Sequence, residues 1–166
     1  MTEPGEELVG TWLRYIEGCD FVDYNVVVPK GQGEIDVVGI KLDGRRAFIC
    51  EVASHTGGLG YKNPVTVLTD KFERAFQYAR ARLAGFDHTY MFWCPIVRSG
   101  NQKIAVEAAV TAAREAHGVD VVVIDNKRFV DEIARLRAEA TKETRNSPHP
   151  VMRLMQIEEM AKDYSS

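Results

Sequence analysis

The chain holds little of what usually commits a sequence to a compartment or a cofactor. Its three cysteines, Cys19, Cys50 and Cys94, are scattered in or beside apolar stretches with no Cys-x-x-Cys pair, which argues against a zinc site and for packed, reduced thiols. Positive charge is not in excess either. The 21 Lys and Arg against 24 Asp and Glu leave a net charge of −3, so no global basic field surrounds the chain and any contact with nucleic acid must use a local patch. No stretch is apolar for long enough to span a bilayer, and the opening MTEPGEEL lacks the basic and apolar regions of a signal peptide. The expectation is a cytoplasmic protein that makes no use of a membrane. The glycines that follow Glu51 fit neither a GxGxxG fingerprint nor a P-loop, so a small-molecule α/β enzyme has no support.

What is present is core. With 45% apolar residues and only six prolines in 166 residues, the composition fits one compact α/β domain. Its organising stretch is residues 31–54, GQGEIDVVGIKLDGRRAFICEVAS, in which two apolar runs meet at Asp43-Gly44, a strong hairpin signal. By period-two alternation Glu34, Asp36 and Ile40 share one side of the first run, and Ile49, Glu51 and Ala53 share one side of the second. Carboxylates in buried strands cost several kcal/mol unless they are paired or bound to a metal. One reading is that Asp36 and Glu51 each pair with an Arg or Lys, or that a strand is an exposed edge. The other is a divalent cation such as Mg²⁺, which takes oxygen ligands and keeps several waters, so that two carboxylates suffice to hold it against a phosphate. Two acids in one hairpin, with Glu34 nearby, favour the cation.

Around this hairpin the periodicity predicts a helix over 4–17 with Glu6, Val9, Gly10, Leu13 and Ile16 on one face, ended by Gly18. Glu6 lies in line with that stripe, although the helix dipole alone explains an acid in a first turn. A β-branched strand follows over 21–28, closed by Pro29, Lys30 and Gly31. After Glu51 the glycine-rich residues 54–64 read as a mobile loop beside the acids, carrying His55 as a candidate proton carrier or plain surface. A helix over 69–83, capped by Thr69, turns Phe72, Ala75, Phe76, Ala79 and Leu83 to the core. On its neighbouring face Lys71, Arg74, Tyr78 and Arg82 form the best local basic row in the chain. Then come a strand over 88–97, a helix over 101–117, a parallel or central strand over 119–125 and a helix from Asp125 or Asn126 to about 145, packed by Phe129, Ile133 and Leu136. The first strands read as antiparallel and the later α/β alternation as parallel, giving a mixed central sheet flanked by helices. The domain is expected over 1–145. Residues 146–166 form a tail with a short amphipathic helix whose Val151, Leu154, Met155 and Met160 would dock on the domain, on a second copy of the chain as a homodimer, or on a partner protein.

Gly5-Glu6, Gly33-Glu34-Ile35-Asp36, Cys50-Glu51-Val52 and the helix at Lys71 together resemble the PD-(D/E)XK nuclease superfamily, in particular its Holliday-junction-resolvase-like and Mrr-like branches. The resemblance covers about residues 4–83. It implies a restriction-endonuclease-like core, Asp36 and Glu51 as ligands of Mg²⁺ or Mn²⁺, Glu6 as an accessory acid, and hydrolysis of phosphodiester bonds in nucleic acid, with DNA the expected form. Lys62, Lys71, Arg74 and Arg82 would then contact the nucleic acid. One position departs from the pattern: the family's lysine two residues after the strand Glu is Ala53 here, which removes a cation from the reaction centre. Three readings follow. Lys71 or Lys62 supplies the charge from another element, the metal acts alone, or the site is dead and the fold serves as a nucleic-acid-binding or protein-interaction module.

Overall fold

A computed structural model of the chain describes residues 2–28, 33–143 and 145–164. Helix α1 (Pro4–Trp12) starts with Pro4 in its first turn and a reciprocal capping box between Glu3 and Glu6, then widens into a π-helical turn over Leu13–Glu17. Gly18 stops it in the left-handed conformation, as expected. Strands β1 (Phe21–Val27), β2 (Glu34–Lys41) and β3 (Arg46–Val52) form an antiparallel meander. Pro29, Lys30 and Gly31, expected to close β1, lie outside the described residues, and the flanking Val28 N–H donates across to the Gly33 carbonyl at 3.0 Å. The β2–β3 turn falls at residues 42–45, where Gly44 and Arg45 both have positive φ.

Helix α2 (Pro64–Arg82), strand β4 (Asp87–Cys94), helix α3 (Asn101–His117), strand β5 (Val121–Asp125) and helix α4 (Asn126–Lys142) follow, and helix α5 (Pro150–Lys162) ends the described chain. Strands β3, β4 and β5 are parallel, so the mixed sheet has the order β1-β2-β3-β4-β5, with β5 an edge rather than a central strand. Three boundaries move relative to the sequence reading. Helix α2 begins at Pro64 and not at Thr69, because a proline with its preset φ is well placed in a first turn. Strand β4 ends at Cys94, since Pro95 has no N–H to continue a ladder. Strand β5 starts two residues later than residue 119.

The sheet separates two apolar layers. On one face Ala47, Ile49 and Phe92 meet Leu68, Phe72, Phe76 and the alanines of α3. On the other, Phe48, Cys50 and Trp93 meet Val9, Trp12 and Leu13 of the N-terminal helix together with Leu136, Met152 and Met155. All three cysteines are buried and free, in keeping with packed thiols. Among the described residues no helix is long and apolar enough to cross a membrane.

The tail helix is part of this second layer. Its inward face is Met152, Met155 and Gln156, whereas Leu154 and Met160, expected to be apolar contacts, are exposed. The polar residue is inward because it finishes another helix: the buried Gln156 amide donates to the Ala140, Glu143 and Arg145 carbonyls at 3.1, 3.4 and 3.1 Å and accepts from the Ser147 N–H at 2.9 Å. Gln156→Leu, close in volume, strands those carbonyls beneath α5. It is expected to lower unfolding free energy by about 2 kcal/mol in a urea titration.

Candidate acid–lysine site

The site grows from a break in the sheet. The β2–β3 ladder runs from Lys41↔Arg46 to Val37↔Cys50 and goes no further. One step beyond, where Asp36 and Glu51 come opposite in register, the Asp36 side chain replaces the strand partner: its Oδ2 accepts from the Val52 N–H at 2.7 Å. A short polar side chain therefore satisfies a backbone donor and leaves the strand ends parted. The gap lies at the carboxyl end of β3, the first of the three parallel strands, where open α/β sheets generally carry their sites.

Into this gap reaches Lys71 from the second turn of α2. Its Nζ lies 2.5 Å from Glu51 Oε2 and 3.1 Å from Asp36 Oδ2. Glu51 is only 1% exposed and Asp36 8%, so both acids are inside the protein, and both do pair with a lysine. They pair with the same one. Two carboxylates share a single ammonium, and Glu51 Oε1, also buried, has no hydrogen-bond partner among the described residues. Such an orphan acceptor costs about 1–3 kcal/mol in the interior.

The charges respond accordingly. Burial pushes Glu51 up to about 8; the Lys71 ammonium opposes that rise and the Asp36 charge adds to it. Burial alone would lower Lys71, but the Glu51 and Asp36 carboxylates outweigh it and hold the ammonium above its ordinary value. Burial thus favours the protonated form of Glu51, while Lys71 remains a cation held against both acids.

Other residues from the sequence reading fall at graded distances from this centre. Arg74, one turn after Lys71, donates from Nη1 to the Glu34 carbonyl at 3.1 Å and lines a cleft of about 460 Å³ with Val27, Gly33, Glu34, Asp36 and Lys71. Glu34 itself is exposed at the start of β2. Glu6 is buried on the opposite face of the sheet, where its Oε2 accepts from the Glu3 N–H at 2.9 Å and the Asn25 amide at 3.3 Å. Asn25 occupies the β1 position opposite Asp36, has φ 51° and interrupts the ladder there, so Glu6 supports the same break in the sheet from behind rather than joining the acid pair. Gly5 brings α1 to that point: a Cβ on it would collide with Ser54, just past the end of β3.

The basic row along α2 does not survive as one surface. Lys71 turns inward to the acids, Arg74 turns to Glu34, Tyr78 packs against the core, and Arg82 is exposed about 16 Å further along the helix. The two acids drew Lys71 out of the row, and the Glu34 carbonyl drew Arg74. Lys62 is exposed on the loop before α2, so of the two lysines considered for the place of Ala53 it is Lys71 that reaches the acids. That loop is anchored by the fully buried Leu59, and His55 stacks edge-on against Tyr61 with 6.4 Å between ring centres.

Tyr61 was not foreseen. It is half-buried; burial raises its phenol first, the Lys71 charge lowers it, and Asp36 and Glu51 raise it, which places the ring in the field of the whole triad. Only its place in the glycine-rich loop hinted at this. Asn25 was missed because nothing in a β-branched strand marks one amide as facing an acid.

A divalent cation fits the donor set in one respect and meets a limit in another. The orphan oxygen of Glu51 and the excess of carboxylate over ammonium suit a hard ion. Among the described residues no three His, Cys, Asp or Glu side chains gather to ligate one. Asp36 and Glu51 would therefore serve as a two-carboxylate set completed by water and substrate oxygens, the mode usual for Mg²⁺. No protein-family model, curated protein or solved structure matches the chain.

Proposed function

We propose that this protein is a divalent-metal-dependent nuclease with a restriction-endonuclease-like core, hydrolysing phosphodiester bonds in nucleic acid, with DNA as the substrate. The observation that carries the reading is the pair of strand carboxylates that share one lysine and leave a buried oxygen of Glu51 unsatisfied. Asp36 and Glu51 would hold Mg²⁺ or Mn²⁺, which when bound supplies Lewis-acid activation of water and neutralises phosphate charge.

The chain's own residues supply the rest. Lys71 takes the place left by Ala53: its charge comes from helix α2 instead of the strand, and its Nζ stands beside both acids. Because those acids hold it above its ordinary value, it stays protonated at neutral pH and acts as a fixed positive charge rather than as a base. Val52 N–H keeps Asp36 oriented, and Glu6 with Asn25 braces the strand behind it.

A second reading, an inactive nuclease-fold module that binds nucleic acid or protein, draws on the same geometry, since Lys71 already neutralises the acids in part. Calorimetric titration of Mn²⁺ separates the two. Wild type is expected to bind one ion and Asp36→Ala none, with wild type cleaving duplex, single-stranded or branched DNA in Mg²⁺ or Mn²⁺. Equal titrations for the two proteins, with no cleavage of any of the three substrates, would transfer the assignment to the binding module.

A further inference from the structure

Arg74 holds a position that the acid–lysine centre does not need. Its guanidinium lies against Gly33, where a Cβ would stand 2.9 Å from Cζ and 3.0 Å from Nη1. Gly33 also has φ +105°, a conformation that side-chain-bearing residues rarely adopt. The backbone there accommodates the arginine closely, and Nη1 donates to the Glu34 carbonyl. This single backbone bond fixes the guanidinium plane while leaving its other donors for the cleft it shares with Asp36 and Lys71. No carboxylate pairs with it among the described residues, in contrast to Lys71.

Spacing says what such a donor set can hold. Glu34 and Asp36 are two residues apart on one strand, about 6.6 Å, and Lys71 and Arg74 are separated by about 4.5 Å along their helix. That is the scale of one step between neighbouring phosphates along a nucleic-acid strand. A planar fork with free N–H groups binds a phosphate in two-point fashion, which an ammonium cannot do.

We infer that Arg74 is the anchor for the phosphate adjacent to the one at the acid–lysine centre, so that the cleft grips a single strand of nucleic acid at two successive phosphates and thereby sets which bond is presented. The inference rests on the nucleic-acid reading above and specifies its substrate contact. Arg74 is a binding and positioning residue in this account, and the reacting atoms belong to the centre at Lys71.

An oligonucleotide series in which one phosphate at a time is an uncharged methylphosphonate tests it. Binding is read by fluorescence anisotropy with Ca²⁺ in place of Mg²⁺, and cleavage by single-turnover kinetics in Mn²⁺, for wild type, Arg74→Gln and Arg74→Lys. For wild type, one substitution next to the cleaved phosphate is expected to weaken binding about ten-fold. For Arg74→Gln, that substitution has no further effect, KM is already raised about ten-fold, and kcat stays within about two-fold. Arg74→Lys, with charge but no fork, falls between. Gly33→Ala, which displaces the guanidinium, reproduces the Gln variant provided that its circular dichroism is unchanged. If the neighbouring methylphosphonate weakens wild type and Arg74→Gln equally, the anchor is elsewhere and the inference is overturned. If the coupling appears but wild type cleaves nothing, the nuclease reading falls while the anchor stands. Absence of binding by wild type overturns both.

Discussion

Lys71→Met is expected to lower the cleavage rate by about 10²–10³-fold at saturating substrate while Mn²⁺ still binds, the size of effect seen when one preorganised charge is removed from a reaction centre. The geometry sets that expectation. Lys71 is the cation that touches both acids, and Ala53 offers none. Removing it also leaves the buried acid pair without its shared cation, so the metal-free variant is expected to unfold about 3 kcal/mol more easily than wild type, with Mn²⁺ recovering much of the difference. Returning the charge to the strand by adding Ala53→Lys is expected to restore part of the rate. The recovery is partial because Ala53 is fully buried, in the same layer as Leu59 and Leu68, and a lysine there must displace packed side chains. Rate measurements at saturating and limiting substrate decide the role: a change confined to KM would make Lys71 a phosphate contact instead.

Glu51→Gln is expected to abolish metal-dependent cleavage and at the same time to stabilise the metal-free protein as pH rises. The folded-state pKa of Glu51, pushed up to about 8 by burial, lies above its unfolded value of 4.5. For an acid this means that folding retains a proton which the unfolded chain releases. The contribution of that protonated carboxyl is therefore fully present below about pH 4.5 and is lost progressively as pH rises towards 8. Glutamine cannot titrate, so the stability difference between variant and wild type should grow across that window by on the order of 3 kcal/mol and then level off. Urea denaturation at several pH values with a chelator present reads it directly. A difference that does not change between pH 5 and 8 would show that Glu51 is ionised throughout.

Much of this centre could be read from the chain because it lies within two adjacent strands. Alternation alone put Glu51 on the side of Ile49 and Ala53, and the structure keeps it there. The turn at Asp43-Gly44, the left-handed stop at Gly18 and the free cysteines are likewise local matters, settled by backbone conformation and spacing. What failed was decided across the fold. Lys71, Arg74, Tyr78 and Arg82 do fall on one helical face, yet helical phase knows nothing of the acids that draw Lys71 inward or of the Glu34 carbonyl that takes Arg74. Thr69 has the chemistry of a cap, but Pro64 upstream has the stronger claim to a first turn. The role of Gln156 is invisible in the tail's own pattern, because the carbonyls it satisfies lie at and just beyond the end of α4, more than ten residues earlier.

The sheet is laid down in the order in which the chain is made, each strand beside the one before it. The strand pair that carries Asp36 and Glu51 can therefore form from local contacts before helix α2 docks, and until Lys71 arrives the two acids have no cation beside them. The opposite layer waits longer still. Val9, Trp12 and Leu13 share their cluster with Met152 and Met155, from the far end of the described chain, so that layer closes only through non-local contacts. Helix α5 thus adds to a layer that the first helix already shares with β2, β3 and α4, and a chain lacking it would bare α4 more than α1.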